Sequence, residues 1–303
     1  MKLSTQIIRP TVHTSVLRIT RSAAIAAAVV LASLGLSASP ASADGPVAQP
    51  PPSPLTIDEQ LRATDKDQVA SQYAEHRRSG GTLTGFSPSV AALELRLNGG
   101  AAIIGGVTSA GPNRSPQASP DAASESVYTY PAYQIQEHDY HCGPANAWIA
   151  MQWKALGNSY RGEAITQDNV GLPFWLNTLD PAGTGFGSNW TKTLNAWTDG
   201  TEDGWYVRLG SPSAAQVTND GSLDLDFNWL PIFDIYMNQS RGFLPGYAGK
   251  YSDVWHYVTE MGYSQYGAAV HYVDTFSNGS PGYNYNIGAS TFASLMSGYG
   301  MIW

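Results

Sequence analysis

The chain holds one cysteine, Cys142, in 303 residues. No internal disulfide can therefore brace it, and the fold must rest on packing alone. Charge is scarce at 13%, and the basic residues are outnumbered, 16 against 24 acids. A surface of that sign is a poor partner for polyanions, which argues against nucleic-acid binding. Neither CxxC nor HExxH spacing occurs, so the usual sequence signs of zinc are missing. There is no internal repeat, and no apolar run reaches the roughly 20 residues that span a bilayer.

Large side chains are missing from a whole region. All nine tryptophans fall between Trp148 and Trp303, while Tyr73 and Phe86 are the only tyrosine and phenylalanine before Val127. So few bulky groups offset little chain entropy. The expected folded domain is accordingly 127–303. The expected linker or pro-segment is 44–126, rich in Pro, Gly and Ser. Within it, Gln49 to Pro54 reads as a stiff spacer, Ile57 to Arg78 as a loosely amphipathic helix, the stretch after it as turns, and Gly111 to Ser126 as disordered. A tether is the first reading of this region, and a segment shielding an active cleft is the second.

Residues 1–43 read as a secretory signal peptide. Lys2, Arg9, Arg18 and Arg21 form a positive leader. Ala23 to Leu36 is an apolar run of about 14 residues, short of a span, and Ala41-Ser42-Ala43 offers a small-x-small cleavage pattern. Cleavage would remove four of the 16 bases and none of the 24 acids, leaving 12 against 24 and a formal charge of −12. The expected product is secreted, extracellular, free of the membrane after signal cleavage, and monomeric. A lone thiol in that setting is open to oxidation, which suggests that it is used.

The chemistry concentrates in Gln136-Glu137-His138-Asp139-Tyr140-His141-Cys142-Gly143-Pro144-Ala145. Pro144 suits a first helical turn, and Ala145 to Leu156 reads as helix with Gly157 as its stop. Cys142 thus sits at a helix N-terminus, where unpaired N–H groups and the dipole favour an anion such as a thiolate nucleophile. Gln136, six residues upstream, could return its amide to a developing oxyanion beside the Cys142 N–H. His138, Asp139, His141 and Cys142 could be imagined around a metal. Ligands so close in sequence rarely make a site alone, so no metal and no cofactor are expected.

This pattern, Gln at minus six and Cys-Gly-Pro-Ala opening a helix, resembles the bacteriocin-processing (double-glycine-leader) peptidases and their secreted relatives, a branch of the papain-like superfamily. Transporter-linked members carry Asp just before the cysteine; here that position is His141, with Asp139 three back from Cys142. The resemblance implies an α+β papain-like fold, with the nucleophile helix packed on an antiparallel sheet. In the family, a histidine opens a later strand and an acid follows on the next. His256, in Trp255-His256-Tyr257-Val258, and Asp274, in Tyr272-Val273-Asp274, match these by motif and order. Their segments are β-branched and aromatic and separated by a turn containing Gly267, so they read as an antiparallel pair. His271 lies three residues from Asp274, on the opposite strand face, and is expected to pack elsewhere.

Between the motifs, Gly183 to Ser188 is a glycine loop without the Gly-Lys-Ser/Thr of a phosphate cradle. Asn189 to Trp197 reads as a short helix with Trp190, Leu194 and Trp197 on one face. Core packing is the first reading of these tryptophans. Gly143, Trp190 and Trp255 are nonetheless the expected substrate-binding positions. Leu223, Leu225 and Phe227 alternate, so Leu223 to Met237 reads as the strand before the histidine strand, with Asp224 and Asp226 on a solvated edge. The expected function is a cysteine peptidase acting on peptide or protein by a Cys142–His256–Asp274 mechanism, with Gln136 on the oxyanion. The alternatives are a cell-wall peptide hydrolase or transpeptidase, and an inactive peptide-binding relative.

Overall fold

A computed structural model of the chain describes residues 52–98, 126–154 and 157–303. The proposed signal peptide, Gln49 to Pro51 and residues 111–125 lie outside the described residues, as do residues 155–156, the last two of the helix expected from Ala145 to Leu156. What is described is a mixed α+β structure built around a seven-stranded sheet. The strands are β1 (Val127–Tyr128), β2 (Arg208–Gly210), β3 (Ile232–Asn238), β4 (Asp253–Ser264), β5 (Ala269–Asp274), β6 (Gly282–Gly288) and β7 (Gly300–Ile302). They run in the order β2-β7-β3-β4-β5-β6, with β1 also on β4, and every pairing is antiparallel. Twelve-residue β4 lies inside the sheet and is almost wholly buried, which suits its run of Val, Trp, Tyr, Thr and Met. Among the described residues, no helix is long and apolar enough to cross a membrane.

Seven helices complete the described fold: α1 (Ile57–Arg78), α2 (Leu83–Leu97), α3 (Cys142–Lys154), α4 (Gln167–Gly171), α5 (Asn189–Thr198), α6 (Ala214–Asp226) and α7 (Ala289–Leu295). Gly157 follows α3 with φ +82°, a left-handed value that glycine adopts without strain and that turns the chain away. Trp190, Leu194 and Trp197 of α5 are all buried, as their helical spacing requires.

The folded unit extends well upstream of 127, which corrects the expected domain boundary. Thr56 and Glu59 form a capping box at the start of α1. Val69, Ala70 and Tyr73 of α1 and Phe86, Val90, Leu93 and Leu97 of α2 join the common core. The stretch expected as turns is largely helix: its four buried apolar residues recur at helical spacing, a pattern obscured in sequence by Pro88 and neighbouring serines. Arg208 of β2 is buried and grips both Glu59 oxygens at 2.9 Å, a bidentate pairing of planar groups. The Ser53 N–H donates to the Phe186 carbonyl, so the end of the expected proline spacer is also tied down.

Residues 214–226 are helix α6, contrary to the expected strand. Ser213 and Gln216 form a capping box that starts it, and the alternation of Leu223, Leu225 and Phe227 is incidental to a 3.6-residue period. The strand begins only at Ile232. Asp224 and Asp226 are correspondingly far from a solvated edge. Asp224 lies against Lys66 Nζ at 3.0 Å with both side chains wholly buried, and Asp226 accepts from Tyr73, Arg77 and Tyr263. The scarce charges of this chain are thus spent partly on fastening α1 to α6.

Candidate active site

The first hydrogen bond of α3 runs from the Ala145 N–H to the His141 carbonyl at 2.9 Å, so the helix begins at Cys142 itself. Asn146, one turn on and fully buried, fixes that end of the helix where β4 and β5 part. Its Nδ2 donates to the carbonyls of Cys142 (2.8 Å) and Tyr257 (2.7 Å) and to Thr275 Oγ1 (3.3 Å). Its Oδ1 accepts from Thr259 Oγ1 at 2.7 Å. Gly143 lets the helix approach the glycine loop: a Cβ there would stand 2.3 Å from Thr184 Oγ1, so any larger residue would push the two apart.

This placement sets Cys142 close enough to His256 to act on its titration, and His256 Nε2 lies 2.8 Å from Asp274 Oδ1. With Nε2 engaged by the carboxylate, Nδ1 is the ring nitrogen left to face the sulfur. Burial alone would lower the His256 pKa. The attraction and hydrogen bond of Asp274, then those of Cys142, outweigh it and raise the pKa to about 10. Asp274 moves the opposite way. Burial would raise it, but His256, the Phe276 N–H and Tyr247 together hold it below the usual carboxylate range. Its four donors are His256 Nε2, the Phe276 N–H (2.9 Å), Tyr247 Oη (2.9 Å) and the Ser280 N–H (3.4 Å). A carboxylate so satisfied remains ionised while buried and locks the imidazole ring.

Gln136 is buried near the cysteine, but its amide is already engaged. Nε2 donates to the His138 and Asp139 carbonyls at 3.0 and 2.9 Å, clasping the turn before Cys142. In this arrangement neither of its N–H groups is directed at an oxyanion, and the first-turn N–H groups of α3 are the donors left for that task. Trp190 is fully buried, with its indole N–H on Tyr257 Oη at 3.3 Å; it is core and lines no cleft. Trp255 points to the face of β4 opposite its neighbour His256, stacks on Tyr236 and donates to Tyr299 Oη, so it does not share a face with the imidazole. Gly143 is buried against Thr184, which ties it to the core instead of to ligand. His271 is buried, stacks on Tyr128, and accepts from the Asn286 N–H.

Sequence reasoning missed Asn146, Tyr247 and Asp168. Asn146 could have been flagged as a polar residue one turn from Cys142 in the apolar first half of the helix. Tyr247, in the connection between β3 and β4, carries no sequence signal; its phenol is pushed well above its usual range by burial and then by Asp274. Asp168 reaches the turn before Cys142 from 26 residues further on. One donor atom each of His138, His141 and Asp168 lie within 4.8 Å of one another, so among the described residues these three, without Cys142, form a group that could hold a metal ion. The chain matches no family model, no curated protein and no solved structure.

Proposed function

We propose that the chain is a secreted cysteine peptidase with a papain-like site. The observation that carries this reading is the convergence of Cys142, at the start of a buried helix, with His256 and Asp274 on neighbouring antiparallel strands. The leader-like residues 1–43 support export. Helices α1 and α2, fastened to α6 and β2, act as part of the folded enzyme and not as a loose tether.

In the reaction, Asp274 holds the His256 imidazolium through Nε2, and Nδ1 carries the proton taken from Cys142. Sγ attacks the carbonyl carbon of a peptide bond, and the N–H groups opening α3 receive the oxyanion. His256 returns its proton to the departing amine. Water, deprotonated by His256, then attacks the acyl-sulfur bond and releases the second product and the thiol. Gln136 serves this site by shaping the 138–141 turn.

The test is incubation of the purified chain with denatured protein and identification of new N-termini by mass spectrometry. Wild type should generate termini that Cys142→Ser generates at least about 10³-fold more slowly. Iodoacetamide should label Cys142 about tenfold or more faster at neutral pH than in His256→Ala. A wild type that cuts nothing and labels no faster than the His256 variant would remove the enzyme reading.

A further inference from the structure

We infer that His138, His141 and Asp168 form a binding site for a divalent transition-metal ion of the zinc, cobalt or nickel type, fastening the turn before the nucleophile to α4. Two imidazoles and one carboxylate are ligands of that hardness, and three protein ligands leave a further position for water. The donors lie within 4.8 Å of one another. Metal bonds of about 2.0–2.1 Å would draw tetrahedral donors to about 3.4 Å. The contraction is small, and the exposed side chains of His138 and Asp168 can supply it by rotation.

The surroundings are built for these three groups. His141 is only 6% exposed, and its buried Nδ1 has no hydrogen-bond partner among the described residues, a vacancy that a polar group rarely keeps. The His138 and His141 rings stand edge to face with centroids 4.5 Å apart, and Tyr140 packs on both. The Gln136 amide clasps the carbonyls of His138 and Asp139, fixing the turn from within. Gln167, beside Asp168 and fully buried, accepts from the Glu137 N–H at 2.9 Å and donates to the Ile135 carbonyl at 3.0 Å. The segment bearing Asp168 is thereby pinned alongside the segment leading into the histidines before any ion arrives. The sequence-based expectation of no metal considered Asp139 and Cys142 as the companions of the histidines; the fold supplies a distant carboxylate instead.

The experiment is calorimetric titration of the untagged chain with zinc chloride, repeated with Cys142→Ala, His138→Ala and Asp168→Asn, and followed with Co²⁺ by visible absorption. The expected result is one saturable ion per chain, unaltered in Cys142→Ala and weakened roughly tenfold or more in each of the other two. His138 and Asp168 are exposed, so both variants should fold, which circular dichroism checks. Absence of saturable binding at millimolar zinc would overturn the site. So would binding indifferent to His138→Ala and Asp168→Asn, and so would binding lost in Cys142→Ala, which would place the ion on the thiol. None of these outcomes depends on whether the chain cleaves peptides.

Discussion

Two buried ion pairs in this molecule behave in opposite ways. At the candidate active site, His256 is raised to about 10 and Asp274 is lowered, so both partners are driven toward their charged forms. At the seam between α1 and α6, burial dominates: Lys66 falls to about 8 and Asp224 rises, so both are driven toward neutrality. Depth is similar in the two places, but the supporting donors differ. Asp274 receives four. Asp224 receives Lys66 Nζ and Trp205 Nε1 on one oxygen, while its other oxygen is buried without a partner. Two further buried acids, Asp220 and Glu260, lie in the same region and are pushed well above the carboxylate range, by burial first and then by neighbouring acids. Hydrogen bonds that replace lost water favour the charged form of a buried group, and burial by itself favours the neutral one.

The sharpest way to break this contrast is Asp274→Asn, which keeps the shape and removes the charge. Peptide cleavage should fall roughly 10²- to 10⁴-fold while the fold survives, as steady-state rates and circular dichroism would record. Retained activity would show that the carboxylate does not orient the imidazole. At the seam, Lys66→Met should destabilise by about 3 kcal/mol in urea unfolding, because it leaves Asp224 buried without its cation, whereas adding Asp224→Leu should recover most of that loss. A double variant as unstable as the single one would mean that the pair is a net source of stability. Tyr247→Phe takes one of four donors from Asp274 and should cost about 1.5 kcal/mol, read from the same urea titration.

A further contrast lies in the pH dependence. His256 has a folded pKa above its unfolded value of 6.5, so its stabilisation is complete below pH 6.5 and is lost as pH rises toward 10. Lys66 has a folded pKa below its unfolded 10.5, so the unfolded chain binds more protons and stability rises between pH 8 and 10.5. In that window the two contributions oppose. Urea titrations at pH 8 and 10 should therefore show a steeper loss of stability in Lys66→Met than in wild type. Equal slopes would mean that Lys66 titrates normally.

Much of the candidate site's neighbourhood was legible in the chain. Pro144 and the apolar spacing after it announced α3, and the β-branched and aromatic runs around His256 and Asp274 read as the antiparallel β4 and β5 that the structure contains. Local rules suffice for such elements because capping and periodicity act within a few residues. They failed where local patterns compete: the Leu223–Phe227 alternation fits a strand equally well, and only the Ser213 capping box betrays the helix. They failed again for α2, whose four buried apolar residues are interleaved with Gly, Ser and Pro.

The sequence by itself determined which groups are available: one thiol, a histidine and an acid on successive strands, a glycine beside the thiol, and an excess of acids that disfavours a polyanion partner. Only the tertiary structure decided their company. It buried Asp224 and Asp226 against α1, engaged the Gln136 amide in a turn, turned Trp255 away from His256, and carried Asp168 to His138 and His141. Each of these depends on contacts between residues far apart in the chain, where burial and hydrogen-bond partners, absent from any local pattern, set the role of a side chain.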